Sequence, residues 1–398
     1  VQTGQRLEFS FKVQSADFVV EELVNVHPDE KGRYSLYRVR KQEITTDAML
    51  REMARWMRKP IHYFRHAGMK DRYAVCYQHV SVKGDGPEEI NAPSFTALRI
   101  GYLDRHLKPT DIAGNRFRLI LRDLRMEEYP VLERNVNEVT RWGAPNYFDD
   151  QRFASQKDPK RAFGFFLFRR QFEEALRVYA TEILPESGHL PAKTAREINE
   201  NWGNWLRITA RIRRPAALKK AFAYLQEHPA DFQGAVYRLP LVDLRMMVSA
   251  AQAFLWNEMV IRYLEHHVPP DRQIWIPGAW NRYVFYRSLS GEERDEWQNL
   301  QIPMPHANFQ GPAAEWDAIF LDVLERHNLD RNHLYLPGLR KIFLGEFSRP
   351  LLVFPRDVQL EKPQPDPLAP GKFMVQLSFR LPRGSYATII VKRLQIRE

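Results

Sequence analysis

One carboxylate in the chain stands in a setting suited to covalent chemistry. Asp71 lies between Lys70 and Arg72 in the stretch His66-Ala67-Gly68-Met69-Lys70-Asp71-Arg72-Tyr73. Two adjacent cations favour the ionised carboxylate, and an ionised carboxylate acts as a nucleophile or a base better than as a proton donor. Gly68, just upstream, can take backbone angles that other residues avoid. The simpler alternative is an Asp that bonds its own turn while its charged neighbours stay in solvent.

Other routes to chemistry are poorly supplied. The adjacent pair His266-His267 lacks the spacing that puts two ligands on one helix face, so no metal site is expected. There is no Gly-rich phosphate loop ending in Lys-Ser/Thr, and no cofactor is expected. The lone cysteine, Cys76, excludes an intrachain disulfide and points to a reducing compartment.

The elements around Asp71 read as strands. Arg6 to Val13 and Asp17 to Val24 form two short candidates split at Gln14-Ser15-Ala16, and Tyr34 to Arg40 forms a third. From Thr46 the pattern turns helical, with Met49, Met53, Trp56 and Met57 at offsets of four, seven and eight, until Lys59-Pro60 ends it. A strand from His62 leads into the Asp71 turn and Tyr73 to Val82 leaves it, so a sheet would hold the carboxylate at fixed geometry. After Gly114-Asn115, Phe117, Leu119 and Leu121 alternate with Arg116, Arg118, Ile120 and Arg122, which predicts a buried face and a mostly cationic one.

From about residue 156 the texture changes. Phe165 to Leu184, Ala216 to Glu227, Asp243 to His266 and Ala314 to His327 fit helices, and Ile274 to Tyr286 adds strands. After Leu336-Pro337-Gly338 the first domain resumes, with Pro350 to Val358 as a strand. Phe373, Val375, Leu377 and Phe379 then alternate with polar residues in another. The expected division is 1–155 and 336–398 for a strand-rich domain and 156–335 for an inserted, mostly helical one.

With 398 residues and 44% hydrophobic content, two cores are affordable. The 59 Lys and Arg residues exceed Asp and Glu to give a net charge of +10 and are spread along the chain, which suits a broad phosphate-facing surface. No apolar run approaches membrane-spanning length, and the amino terminus lacks a charged-then-apolar signal pattern. A soluble cytoplasmic protein is expected.

Gly68-Met69-Lys70-Asp71-Arg72-Tyr73-Ala74-Val75, with Gln78 beyond it, resembles the signature of the TruD family of transfer-RNA pseudouridine synthases. So do Lys12 with Asp17, Phe18, Val20 and Glu21, the Lys41-to-Thr46 spacing, and Gly114-Asn115-Arg116-Phe117. Asn146-Tyr147-Phe148-Asp149-Asp150-Gln151-Arg152-Phe153-Ala154 and Leu381-Pro382-Arg383-Gly384-Ser385-Tyr386-Ala387-Thr388 complete the series in the family's order. Asp149 and Ala154 replace glycines usual in relatives. A positive backbone dihedral at the first of these would cost Asp149 some strain.

The resemblance implies an α+β pseudouridine-synthase catalytic domain around a mixed, mainly antiparallel sheet, interrupted by an inserted helical α+β domain. It implies isomerisation of uridine to pseudouridine in RNA, at uridine-13 of tRNA in bacterial members, with Asp71 as the catalytic nucleophile. Whether such a carboxylate attacks sugar or base, or removes a sugar proton, is not legible in the residues. It further implies substrate contacts at Phe18, Asn146, Phe148 and Tyr386, with Lys12 near the active site. A stacked uracil must be extruded to react, at a cost of a few kcal/mol, which aromatic rings offset while an amide reads the base edge. Arg72 and Lys12 would sit near the phosphate or developing charge, and a cleft between the domains would hold the RNA. Two rivals stay open: a catalytically silent RNA-binding protein, favoured by the altered glycines, and a glycosidase-like or nuclease activity, which lacks its partner acid or metal cluster.

Overall fold

The structure, a computed structural model, describes residues 6–153, 159–336, 342 and 344–397. Ala154, the boundary expected at 155/156 and Pro337-Gly338 lie outside these residues. The chain separates into two compact units, one of Gly4–Ala144 with Val353–Glu398 and the other built on Pro145–Leu352. The breaks thus fall at Ala144/Pro145 and Leu352/Val353 and not near 156 and 336. The reason is hydrogen bonding: Asn146 to Phe148 are tied to Asn257 and Arg349 within the helical unit.

The first unit is a ten-stranded sheet. Its strands are β1 (Phe18–Val24), β2 (Tyr34–Lys41), β3 (Phe64–His66), β4 (Val75–Lys83), β5 (Glu89–Ala92), β6 (Phe95–Leu103), β7 (Ile112–Leu124), β8 (Arg356–Leu360), β9 (Gln364–Pro365) and β10 (Phe373–Pro382). The order is β8-β10-β7-β1-β4-β2-β6-β5, with β9 on β10 and β3 on β4. Only β1 and β4 run parallel; the other pairs are antiparallel. The sheet is therefore mixed and mainly antiparallel, as expected.

Helix α1 (Thr46–Trp56) opens on a Thr45 cap and buries Met49, Leu50, Met53 and Ala54 against Tyr37, Val39, Val80, Val82, Phe95 and Ala97. Trp56, expected on this stripe, is 58% exposed. At about 100° per residue, Leu50 and Ala54 swing the buried arc away from it by roughly a quarter-turn. Helix α2 (Tyr129–Trp142) packs on the C-terminal helix Ala387–Leu394, where Asn135 bonds the carbonyls of Leu394 and Ile396 at 2.8 and 2.6 Å.

Strand β7 keeps the expected alternation at Phe117, Leu119 and Leu121 (buried) and at Arg116 and Arg118 (exposed). Gly114 is required: it faces Pro382 of β10, and a Cβ there would lie 2.4 Å from the Leu381 carbonyl oxygen. Arg122 departs from the expected cationic face. It is buried, donates to both oxygens of Asp17 at 2.9 and 2.8 Å, and reaches Asp366 at 2.7 Å. The neighbouring strand is irregular between Phe373 and Val375, and Asp123 takes φ 63°, so the register slips where Arg122 turns inward.

Three other expectations change. Arg6 to Val13 makes only isolated bridges, Arg6 to Ile396 and Ser10 to Arg122, because its backbone is diverted at Lys12, φ 62°. Ile61–Tyr63 is a 3-10 turn before β3, and Pro350 to Val358 is broken into shorter pieces.

In the second unit, α3 (Trp205–Arg211) and α4 (Ala216–Glu227) form a helical hairpin, and α5 (Leu241–His267) runs for 27 residues. Helix α5 is buried along most of its length, the mark of a central helix. The single helix expected over Phe165 to Leu184 is interrupted: Phe163–Phe168 ends where Arg170 takes φ 58°, and Phe172–Val178 runs into a π-helical turn. Strands Gln273–Pro277 and Arg282–Tyr286 pair as a hairpin.

Replacing Arg122 by Ala strands the buried carboxylates of Asp17 and Asp366. The expected loss is about 3–5 kcal/mol of unfolding free energy, measured by urea titration.

Candidate active site

Asp71 lies on the connection between β3 and β4, which pair through Phe64 and Val82, Arg65 and Ser81, and His66 and Val80. Its carboxylate accepts from Lys12 Nζ at 2.9 Å through Oδ2 and from the Tyr73 backbone N–H at 3.0 Å through Oδ1. Both side chains of the ion pair are partly buried, 23% and 17% exposed, so solvent screens it less than a surface pair.

The cation that serves Asp71 is therefore Lys12, 59 residues away, and not its sequence neighbours. Lys70 turns into the sheet, where Nζ meets Glu22 Oε2 at 2.5 Å in a pair with almost no exposure. Arg72 reaches outward to the Glu43 carbonyl at 3.3 Å. Burial alone would raise the Glu22 carboxyl, but hydrogen bonds from His79 and the charge and hydrogen bond of Lys70 hold it below its ordinary value.

Backbone contacts fix the rest of the loop. Lys41, fully buried at the end of β2, donates to the Asp71 carbonyl at 2.5 Å and to the Ile44 carbonyl at 2.9 Å. Burial lowers the Lys41 ammonium from its ordinary value. Thr46 Oγ1 accepts from the Lys70 N–H at 3.1 Å and donates to Gln78 Oε1 at 3.2 Å. Gly68 has no positive φ; a Cβ there would lie 3.0 Å from Ile112 Cδ1, so the position is limited by space.

Lys12 itself pays for its placement, since a non-glycine residue in the left-handed region costs roughly 1–2 kcal/mol. Such strain marks positions that surrounding contacts over-determine. Its ammonium also lies 4.1 Å from the centre of the Phe18 ring. Phe18 is 5% exposed and packs against Phe11 and Phe117, at 6.4 and 6.1 Å between ring centres. Asp71, Lys12 and Phe18 thus form one contiguous group. Tyr386 is half-buried in the turn after β10, immediately before the C-terminal helix.

Asn146 and Phe148 belong to the other unit. The Asn146 amide accepts from Arg349 at 2.9 Å and donates to the Pro350 carbonyl at 3.2 Å, which leaves it one further hydrogen and one further lone pair. Arg349 also donates to the backbone carbonyls of Asn146 and Tyr147 at 2.6 and 3.2 Å, and its guanidinium lies 4.2 Å from the Phe148 ring centre. Asn257 clamps Phe148 from both sides, accepting its N–H at 2.9 Å and donating to its carbonyl at 2.8 Å. Asp149 takes φ −81°, an ordinary extended conformation, so the replaced glycine carries no strain here.

Arg349, Asn257 and Lys41 position these segments, and the motif reading gave none of them a role. Arg349 and Asn257 act on backbone far away in sequence, so local pattern carries no sign of it, and for Lys41 the Lys41-to-Thr46 spacing marks the residue but not its bond to the Asp71 carbonyl. Among the described residues no helix is long and apolar enough to cross a membrane, and no group of three His, Cys, Asp or Glu side chains could hold a metal ion.

The architecture is an α+β chain with a mixed sheet, and a match to a family model over nearly the whole chain places the protein among the pseudouridine synthases, which are isomerases. The chain belongs to the TruD family: the profile described as tRNA pseudouridine synthase D (TruD) matches residues 2–394. A Methanocaldococcus jannaschii protein named "Probable tRNA pseudouridine synthase D 2" is 28% identical over 389 residues, 96% of this chain and 90% of the relative. The tRNA pseudouridine synthase D of Aquifex aeolicus is 25% identical over 398 residues, 98% of each chain. A crystal structure of a Methanosarcina mazei protein bearing the TruD name shares the fold, with a TM-score of 0.72, 21% identity and coverage of 98% of this chain and 94% of that one.

Two measurements probe this packing. Arg349→Lys keeps the charge but loses the planar fork, and is expected to lower unfolding free energy by about 1–3 kcal/mol, read by chemical denaturation. Cys76 sits beneath the Asp71 loop, and burial pushes its thiol up to about 11 from an ordinary 9.0. The unfolded chain releases this proton first, so stability present below pH 9 falls as pH rises toward 11, by about 2–3 kcal/mol. Cys76→Thr should lessen the loss of stability between pH 8 and pH 11 by about that amount in urea unfolding, the buried Tyr37 and Tyr263, also raised, keeping their own share.

Proposed function

We propose that this protein converts a uridine of tRNA, at position 13, to pseudouridine in the cytoplasm, with Asp71 as nucleophile. The supporting observation is the pairing of Asp71 with Lys12 at 2.9 Å, on a loop held by Lys41, Thr46 and Glu22. A carboxylate held this way keeps its charge and its direction while a substrate approaches, so little reorganisation is needed at the moment of reaction.

The reaction breaks the bond from ribose carbon 1′ to uracil N1, turns the ring, and joins the same carbon to C5. The C5 proton leaves, N1 gains one, and the composition of the RNA is unchanged. Asp71 supplies the electron pair that opens the sequence, and Lys12 steadies the oxygen not yet committed to the bond. Phe18, Phe148 and Tyr386 offset the unstacking of the extruded uridine by ring packing, and the remaining hydrogen and lone pair of the Asn146 amide read the base edge. Arg72 faces phosphate.

Asp71→Ala should lower pseudouridine formation by roughly three orders of magnitude or more, while the Kd for unmodified tRNA stays within about threefold. Pseudouridine mapping on tRNA incubated with each protein gives the readout. Wild-type levels of the modified base with Asp71→Ala would end the proposal, and modification at another uridine would end the assignment to position 13.

A further inference from the structure

The charge of the inserted unit is unevenly placed. Residues 201–226 contain six cations, Arg207, Arg211, Arg213, Arg214, Lys219 and Lys220, and no Asp or Glu. They lie on the α3–α4 hairpin. The two helices pack through their apolar sides, where Trp205 stacks on Phe222 at 5.8 Å and Ile208, Leu218 and Leu225 are buried. All six cations are exposed on the outward side and the turn. Among the described residues only Arg211 of the six meets a carboxylate, Glu197 at 3.9 Å.

Stability does not account for this cluster. Arg213 and Arg214 immediately precede α4, and Lys219 lies just past its first turn, where the positive end of the helix dipole opposes cations. No side chain caps that end, and Pro215 stands at the cap position. Like charges, a helix amino end and few neutralising carboxylates add to one positive potential. That potential suits a run of phosphates, and four of the six cations are arginines, whose planar fork binds phosphate in two-point fashion. A membrane surface would want apolar anchors around the charges, and the hairpin exposes only Leu206 among its large apolar side chains.

We propose that the outward face of the α3–α4 hairpin binds the sugar-phosphate backbone of the RNA substrate, apart from the nucleotide that reacts. This rests on the tRNA reading above and adds to it a surface that supplies affinity without chemistry. Contacts of this kind release counterions, so they are read in the salt dependence of binding.

The test uses the full chain and an unmodified full-length tRNA transcript, with Kd measured by fluorescence anisotropy across a salt series. Arg213→Ser/Arg214→Ser and Lys219→Ser/Lys220→Ser are made separately, so that failure of one to fold leaves the other. Arg51→Ser/Arg55→Ser, two exposed positions on α1, removes the same charge elsewhere. Each hairpin double variant is expected to bind about tenfold more weakly and to flatten the slope of log K against log salt by about 1 to 2, with the rate at saturating RNA unchanged. A parental slope in both hairpin variants, or equal flattening by the α1 control, overturns the proposal. Pseudouridine is scored in the same samples. If the parent forms none and the hairpin variants still flatten the slope, the catalytic reading fails and this surface stands. If the parent is active and the slope does not move, the surface alone fails.

Discussion

The ammonium of Lys41 is the fixed point of the unit that carries Asp71. It is fully buried and spends its hydrogens on the carbonyls of Asp71 and Ile44, so the end of β2 is joined to the loop after β3 and to the segment leading into α1. Burying an ammonium is costly unless its hydrogens are met, and burial does lower this one from its ordinary value. The carbonyls that meet it cannot move away without exposing that cost. A loop that would otherwise be free to fluctuate thus inherits the precision of a strand in the middle of a ten-stranded sheet.

The three cations near Asp71 divide the work by direction. Lys70 points inward to Glu22 and anchors the loop to β1, while Arg72 points outward along the surface. Of the three, Lys12 reaches the carboxylate, and it does so from a left-handed backbone position that also lays its ammonium on Phe18. Sequence adjacency was therefore a poor guide to electrostatics here. In an extended loop successive side chains diverge, so the residues flanking a carboxylate are among those least able to touch it.

The same reasoning separates what was legible in the sequence from what was not. The β3–β4 connection that carries Asp71, the alternation of β7 and β10, and the long α5 follow from short-range periodicity and can be read residue by residue, whereas the mixed sheet was legible only through the family resemblance. Arg122 could not, because its inward turn depends on two carboxylates distant in the chain, Asp17 and Asp366. Nor could Trp56, since the position of a helix's buried arc is set by the sheet beneath it. The break at Arg170 is a backbone reversal within a run whose composition favours helix throughout. The compact units differ from the expected domains for a related reason: composition changes after residue 155, but Asn257 and Arg349 draw the Asn146–Phe148 segment into the helical unit ahead of that change.

Charge follows a division of its own. On the sheet, Glu21 takes up Arg38 and Arg116, and Asp357 takes up Arg380, so much of the arginine face is already compensated. The helical hairpin carries six exposed cations, of which only Arg211 meets a carboxylate among the described residues, which puts a weakly compensated share of the positive charge in the unit that lacks Asp71. A long polyanion gains most from charges that are not already paired, because each phosphate contact then releases a counterion without first breaking an ion pair. The contacts that hold Asp71 are short and partly buried, so salt screens them weakly, whereas the hairpin cations are exposed and salt screens them strongly. A protein built in this way can change its hold on RNA by surface substitution while leaving the geometry around its carboxylate intact.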